Sequence, residues 1–298
     1  MPRWLAWTLA ALGSWGVWAF LYRLLGEKLS AGQTQSLSTL GMLPVLLALL
    51  LWKRQASPGA RVRGALFALA AGVLTCAANT AYYHVLGIGE EAATVVSFTA
   101  LYPLVTVVLA VLLLGERLNV IQGAGVLLGL LAVYFFWVKS EEGAASPWLA
   151  HALIPIFLWG ISGLLQKLST NHISGELSTL WFLGTFVPVA AVLLVAEPLP
   201  ETIETRTWLL AATIGLSFAV GNYALLAAFR AGGKASIIAP LAALYPLVSV
   251  PLAILVFKEK IELRDRMGII LALVAAAALS YEKPARGNAP ILKTDSTG

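Results

Sequence analysis

Few side chains in this 298-residue sequence are equipped for chemistry, and none is arranged to break a bond. His84, His151 and His172 are the only histidines; they lie far apart with no acidic residue at ligand spacing, which argues against a zinc-type site. Cys76 is the single cysteine and sits in an apolar run, so neither a disulfide framework nor a thiolate cluster is on offer. No glycine-rich loop ends in Gly-Lys-Ser/Thr, and no Ser or Cys stands in a nucleophile elbow. The residues therefore point away from an enzyme, and no cofactor or metal is expected. Glu90, Glu91, Glu116, Glu176 and Glu259 all fall near the ends of apolar runs, none near a middle. A proton-driven device usually needs a buried group whose charge changes. Facilitated diffusion or exchange thus stays open beside proton coupling, in which His84 or an end-lying carboxylate would have to serve.

What the chain does carry is polar and aromatic groups inside apolar runs, the kind that recognise a small solute or pin helices together. Asn79 and Asn222 hold matching places in two such runs, and each can do either. Tyr82, Tyr83 and His84 follow Asn79, whereas Leu225, Leu226 and Ala227 follow at the matching positions after Asn222. One side of a site would then supply aromatic and polar groups and the other an apolar wall. Trp15, Trp18 and Tyr22 share a helical face by their i, i+3, i+7 spacing. With Trp159 they could stack on a ring or a cation, or pack against lipid and neighbouring helices. Tyr102 and Tyr245 can bond freed backbone carbonyls or a ligand, and Gln166 is a weaker candidate. Arg23 and Lys167 are expected to snorkel to opposite surfaces.

These residues need elements to hold them, and the composition says which. Only 12% of residues are charged, against roughly 25% in ordinary soluble domains. Hydrophobic residues make up 59%, mean hydropathy is +0.84, and ten tryptophans suit membrane–water interfaces. The chain reads as an all-α protein integral to a membrane, in contact with the lipid bilayer. Ten runs approach the ~20 residues needed to cross it. They cover about Trp4–Leu25, Ser36–Trp52, Gly64–Leu86, Glu90–Leu114, Asn119–Val138, Pro147–Leu168, Glu176–Ala196, Thr207–Phe229, Lys234–Phe257 and Arg266–Glu282.

One hexamer occurs twice. Residues 100–105 and 243–248 both read ALYPLV, and a glutamate follows each copy, Glu116 and Glu259. Gly89 and Gly232, Ala92 and Ala235, and Gly125 and Gly268 keep the same spacing; Trp15-Gly16 pairs with Trp159-Gly160 one residue out of step. The chain is thus two five-helix repeats: 1–138, a connector 139–147, a second repeat 148–282, and a flexible tail 283–298. Because five is odd, the second repeat enters from the opposite side, giving an inverted pair. Pro103 and Pro246 each remove a backbone donor inside an apolar helix, predicting a kink or break. Ser97 and Thr99 are placed to rescue the freed groups. Pro240 and Pro251 make helix nine the more deformable. Paired breaks, one per half, point to a pathway between the repeats, although packing alone can also explain them.

With the N-terminus inside, twelve basic residues fall on the inner side and eight on the outer, which favours both termini inside. The basic segment between helices two and three is the strongest vote; the segment between nine and ten goes against it. The net charge of +5 is read as topology, since no loop offers a basic face for nucleic acid.

Residues 100–135, ALYPLVTVVLAVLLLGERLNVIQGAGVLLGLLAVYF, resemble the end of an EamA domain in the drug/metabolite transporter superfamily. The second copy is similar, though the usual Gly-Glu pair has become Lys258-Glu259. The resemblance implies a ten-helix transporter with cytoplasmic termini, in which helices one, three, four, six, eight and nine surround a cavity and five and ten lie outside. It implies that Glu116 and Glu259 are structural, capping or bracing the four–five and nine–ten hairpins. The resemblance is not specific for a substrate; the expectation is alternating-access movement of a small organic solute, amino-acid-like and neutral or zwitterionic, across a bacterial plasma membrane, with export favoured because many members of that superfamily export. A transporter of anionic or phosphorylated metabolites using Arg230 and Lys234, or a non-transporting membrane scaffold or membrane enzyme, is the alternative. Small-residue faces on helices five and ten permit a monomer or a homodimer.

Overall fold

A computed structural model describes residues 1–25, 28–51, 61–88, 91–137 and 147–281. Lys53, Arg54, Gly89, Glu90, the connector 139–146 and the tail lie outside the described residues. Within them every regular element is a helix. Eight helical stretches are long and apolar enough to span a membrane, and Val120–Phe136 is a shorter apolar helix.

The helices are α1 (Arg3–Leu25), α2 (Ala31–Leu51), α3 (Arg61–Gly87), α4 (Ala92–Thr99), α5 (Pro103–Leu114), α6 (Val120–Trp137) and α7 (Pro147–His172). There follow α8 (Gly175–Gly184), α9 (Phe186–Ala196), α10 (Thr205–Arg230), α11 (Ala235–Ala242), α12 (Pro246–Phe257) and α13 (Leu263–Leu279). Leucines and valines such as Leu113, Val195 and Leu255 project outward, the surface a bilayer would cover.

Both hexamers break their helices. α4 stops at Thr99 and α5 starts at Pro103; α11 stops at Ala242 and α12 starts at Pro246. Proline cannot donate to the carbonyl four residues back, so Thr99 O and Ala242 O are each taken instead by the N–H of the following tyrosine, Tyr102 and Tyr245, at 3.2 Å. Ser97 and Thr99 hydroxyls bond carbonyls of the preceding turn, those of Ala93 and Val95. A further break, between α8 and α9 at Thr185, was not expected. Pro188 explains it, since the carbonyl of Gly184 loses its partner.

One start differs from the sequence reading because of a capping box. α2 begins at Ala31, not Ser36, because Ser30 Oγ accepts from Gln33 N while Gln33 Oε1 accepts from Ser30 N. Its polar first turns are buried against the second half: Gln33 Nε2 donates to Pro198 O at 2.7 Å, and Ser30 also bonds Glu197. Asn119 and Gln122 form the same box at the start of α6.

Equivalent helices of the two halves meet head to tail. At the start of α6, Asn119 Nδ2 and Gln122 Nε2 donate to Tyr281 O and Leu279 O at the end of α13. Gly125 approaches Ala275 and Leu279, while Gly268 approaches Phe136 at the far end of α6. Small residues of helices five and ten therefore face the partner helix within the chain. Glu259, beyond the end of α12, reaches the start of α4, and Glu116, beyond the end of α5, reaches the start of α11. α4–α5 and α11–α12 thus run in opposite directions.

Candidate functional site

The site lies where the two breaks face the long helices. α1 packs along α10 and α3 along α7, each pair antiparallel. The close approach of α1 to α12 depends on Gly16: a Cβ there would lie 2.5 Å from Val248 Cβ and 3.1 Å from Tyr245 O. Gly160 on α7 does the same against α5, at 2.4 Å from Val105 Cβ and 3.0 Å from Tyr102 O. Each break carries its tyrosine inward at this point.

Between them is a central cavity of about 50 Å³. From the first half Trp15, Trp18, Thr75 and Tyr102 line it. The second half supplies Trp159, Ser162, Gln166 and Tyr245, with Asn222, Phe218, Leu225 and Phe229 on α10. α6 and α13 contribute none of these residues and pack on one another.

Of the sequence candidates, Trp15, Trp18, Trp159, Tyr102, Asn222 and Tyr245 come together on the cavity wall. Asn79, Tyr82 and Tyr83 form a layer behind it. Tyr82 stacks on Trp18, with ring centres 5.3 Å apart, and is as close to Trp159. Tyr83 accepts a hydrogen bond from Trp18 Nε1 at 3.1 Å and stacks on Tyr22 at 3.9 Å. Asn79 Oδ1 accepts from Trp159 Nε1 at 3.0 Å, so the amide orients a cavity tryptophan. Asn222 donates back to Phe218 O in its own helix. Tyr102 OH reaches Ala239 O, a carbonyl of the other half, at the limit of hydrogen bonding. Pro103 and Pro246 sit buried at the breaks; Pro240 lies inside α11, one residue beyond the cavity-lining Ala239.

Several buried polar atoms here have no protein partner: Trp15 Nε1, Tyr245 OH and Gln166 Oε1 on the wall, and Asn79 Nδ2 and Tyr82 OH behind it. Buried polar atoms are normally satisfied, so these are exceptions, and they gather around the cavity. No lining residue is ionisable as an acid or base other than tyrosine. Sequence reading missed Thr75, Ser162, Phe218 and Phe229. Ser162 and Gln166 follow Trp159 at i+3 and i+7, the signal that places all three on one face of α7.

The basic and acidic candidates fall elsewhere. Arg230 lies on a different face of α10 from Asn222, in a peripheral crevice with Arg3, Trp7 and Glu176. Arg23 and Lys167 do not simply snorkel to water: Arg23 donates to Leu86 O at 2.7 Å and Lys167 to Gly233 O at 3.1 Å. His84 and His151, distant in sequence, meet at 5.4 Å between ring centres on the outer face of α3 and α7. No group of three or more metal-ligating side chains occurs among the described residues.

Glu116 and Glu259 do not brace their own hairpins. Glu259 accepts from the N–H groups of Ala92 and Ala93 at 2.9 and 3.0 Å, and Glu116 from those of Ala235 and Ser236 at 3.3 and 3.0 Å. Each caps a helix of the other half, where unpaired amides attract a carboxylate. At α4 the N-cap residue itself, Glu91, makes no side-chain capping bond.

A multi-pass membrane protein, helical throughout its described residues, with a small aromatic-lined cavity at its centre is the class these features define. The model of the EamA-like transporter family matches twice, over residues 2–138 and 146–281. The chain belongs to that family and is a membrane transporter of the drug/metabolite superfamily. A crystal structure described only as that of a protein is similar over 92% of this chain and 96% of its own, with a TM-score of 0.64 at 18% identity. At that identity the likeness concerns the fold alone. Among curated proteins none matches.

Proposed function

We propose that this protein is a secondary transporter in a bacterial plasma membrane that moves a small neutral or zwitterionic, amino-acid-like solute by alternating access. It would do so without enzymatic chemistry or a cofactor. Ten spans in a five-plus-five inverted repeat, both termini cytoplasmic, accommodate the opposed directions of the equivalent helices and the basic-residue bias. Export is favoured from the family resemblance.

The observation that carries the solute class is the cavity wall: indole, phenol, amide and hydroxyl groups with unpartnered donors and an acceptor, and no lysine, arginine, aspartate, glutamate or histidine. An ammonium group suits the faces of Trp15, Trp18 and Trp159. A carboxylate suits Trp15 Nε1–H and the Tyr245 hydroxyl, with Gln166 Oε1 left to accept from the solute. Anionic phosphorylated metabolites fit less well, because Arg230 lines the peripheral crevice and not the cavity. Solute counterflow in proteoliposomes tests the reading. Exchange of unlabelled for labelled neutral or zwitterionic solutes is expected, reduced by Asn222→Ala. Exchange of phosphorylated anions alone would replace it, and exchange of nothing across amino acids, amines, nucleosides and sugars would return the chain to a scaffold.

A further inference from the structure

Resting on that alternating-access reading, we propose that Glu116 and Glu259 are the gate latches of the cycle, one holding each end of the pathway shut. The contacts are reciprocal. Each carboxylate leaves its own half and accepts two backbone N–H groups from the first turn of the broken helix in the other half. Bonds from amides to a charged acceptor are stronger than those between neutral groups. Each glutamate follows a residue in left-handed backbone, Gly115 at φ 66° and Lys258 at φ 54°, which turns the chain across toward the opposite repeat. Lys258 is the one non-glycine with positive φ among the described residues. It holds a costly conformation at the place where the latch needs the turn.

At each end a cation on a cavity-lining helix bonds a backbone carbonyl, Lys167 to Gly233 O and Arg23 to Leu86 O. Lys167 lies close enough to Glu116 for their charges to interact and bonds Gly233 O, near the amides that Glu116 caps. At the other end Arg23 of α1 bonds Leu86 O at the close of α3, the helix that leads to Ala92. The two assemblies stand at opposite ends of α4–α5 and of α11–α12. Both sets of bonds are made at once in this structure. For a solute to enter, one end must part while the other holds, and parting α12 from α4, or α5 from α11, breaks a latch.

The test uses the full chain in proteoliposomes, with Leu225→Cys as reporter on the apolar cavity wall; the native Cys76 is buried. A membrane-impermeant maleimide is applied from either side. Glu259→Gln is expected to raise reporter labelling from the Arg23 end by about tenfold, leaving the Lys167 end unchanged, because Gln keeps the shape but loses the charge and one acceptor. Glu116→Gln should do the opposite. Arg23→Gln and Lys167→Gln should give the same sidedness with smaller increases. A purely structural cap would lower thermal stability in both variants and change labelling equally from both sides; that result, or unchanged sidedness with solute exchange intact, overturns the latches alone. A reporter reached from neither side in any variant, with no exchange, overturns the transport reading as well.

Discussion

The close approach of α1 to the broken helix can be tested by adding one methyl group. Gly16→Ala places a Cβ 2.5 Å from Val248 Cβ and 2.8 Å from Val248 Cγ1, where contact normally begins near 3.4 Å. Backbone must move by nearly an ångström, because Val248 sits in the first turn of α12, two residues after Pro246, and its Cβ cannot swing away. Overpacking of that kind costs about 1–3 kcal/mol. Gly13→Ala, one turn earlier on the same helix, has nothing within 4 Å of the new Cβ and serves as the control. Both substitutions share the gain in helix propensity of up to about 1 kcal/mol, so their difference isolates the contact. Unfolding titrations in mixed micelles should find Gly16→Ala less stable than Gly13→Ala by about 1–3 kcal/mol. Gly160→Ala, whose Cβ would meet Val105 Cβ at 2.4 Å, should match Gly16→Ala. Equal stability of Gly16→Ala and Gly13→Ala would refute the argued proximity of α1 to the second break, and with it the position of Trp15 on the cavity wall.

Trp159→Phe removes the N–H that Asn79 Oδ1 accepts and leaves the whole amide without a partner, since Asn79 Nδ2 has none already. It should cost about 1–3 kcal/mol, and a double-mutant cycle with Asn79→Leu should show the two losses to be coupled rather than additive. Hydrogen exchange should be faster in α11–α12, which contain Pro240 and Pro251, than in α4–α5, which have no proline inside either helix; the reverse order would contradict the greater deformability of the second break. Lys28 donates to Glu204 at 2.6 Å and holds that exposed carboxyl below its usual range. Whatever the pair contributes is present above the ordinary carboxylate pKa and lost as pH falls through the lowered one. Because it is exposed, Glu204→Gln should leave the melting temperature at pH 7 almost unchanged and abolish any acid-side dependence arising there.

Much of this was legible in residue order. Low charge and long apolar runs require a bilayer, and a repeated hexamer with a proline in it requires two related breaks. The spacing of Trp15 and Trp18, and the pairing of Asn79 with Asn222, marked faces that do approach one centre. The pairing did not distinguish their surroundings: Asn222 lines the cavity, whereas Asn79 stands behind Trp159. The break at Thr185 could have been read from Pro188. The meeting of His84 with His151 could not, because periodicity reports which residues share a face and not which helix that face meets.

What the sequence determined by itself is local and periodic: membrane-spanning helices, their breaks, their duplication, and the aromatic and amide residues available to a solute. Backbone chemistry and transfer out of water act on neighbouring residues, so they leave a trace in order alone. Only the tertiary structure decided that Glu116 and Glu259 cross to the opposite half, that the small residues of α6 and α13 are spent on each other, and that the cavity carries no formal charge. Those outcomes depend on contacts between residues more than a hundred positions apart, chosen by how two oppositely directed helix bundles satisfy one another's unpaired amides.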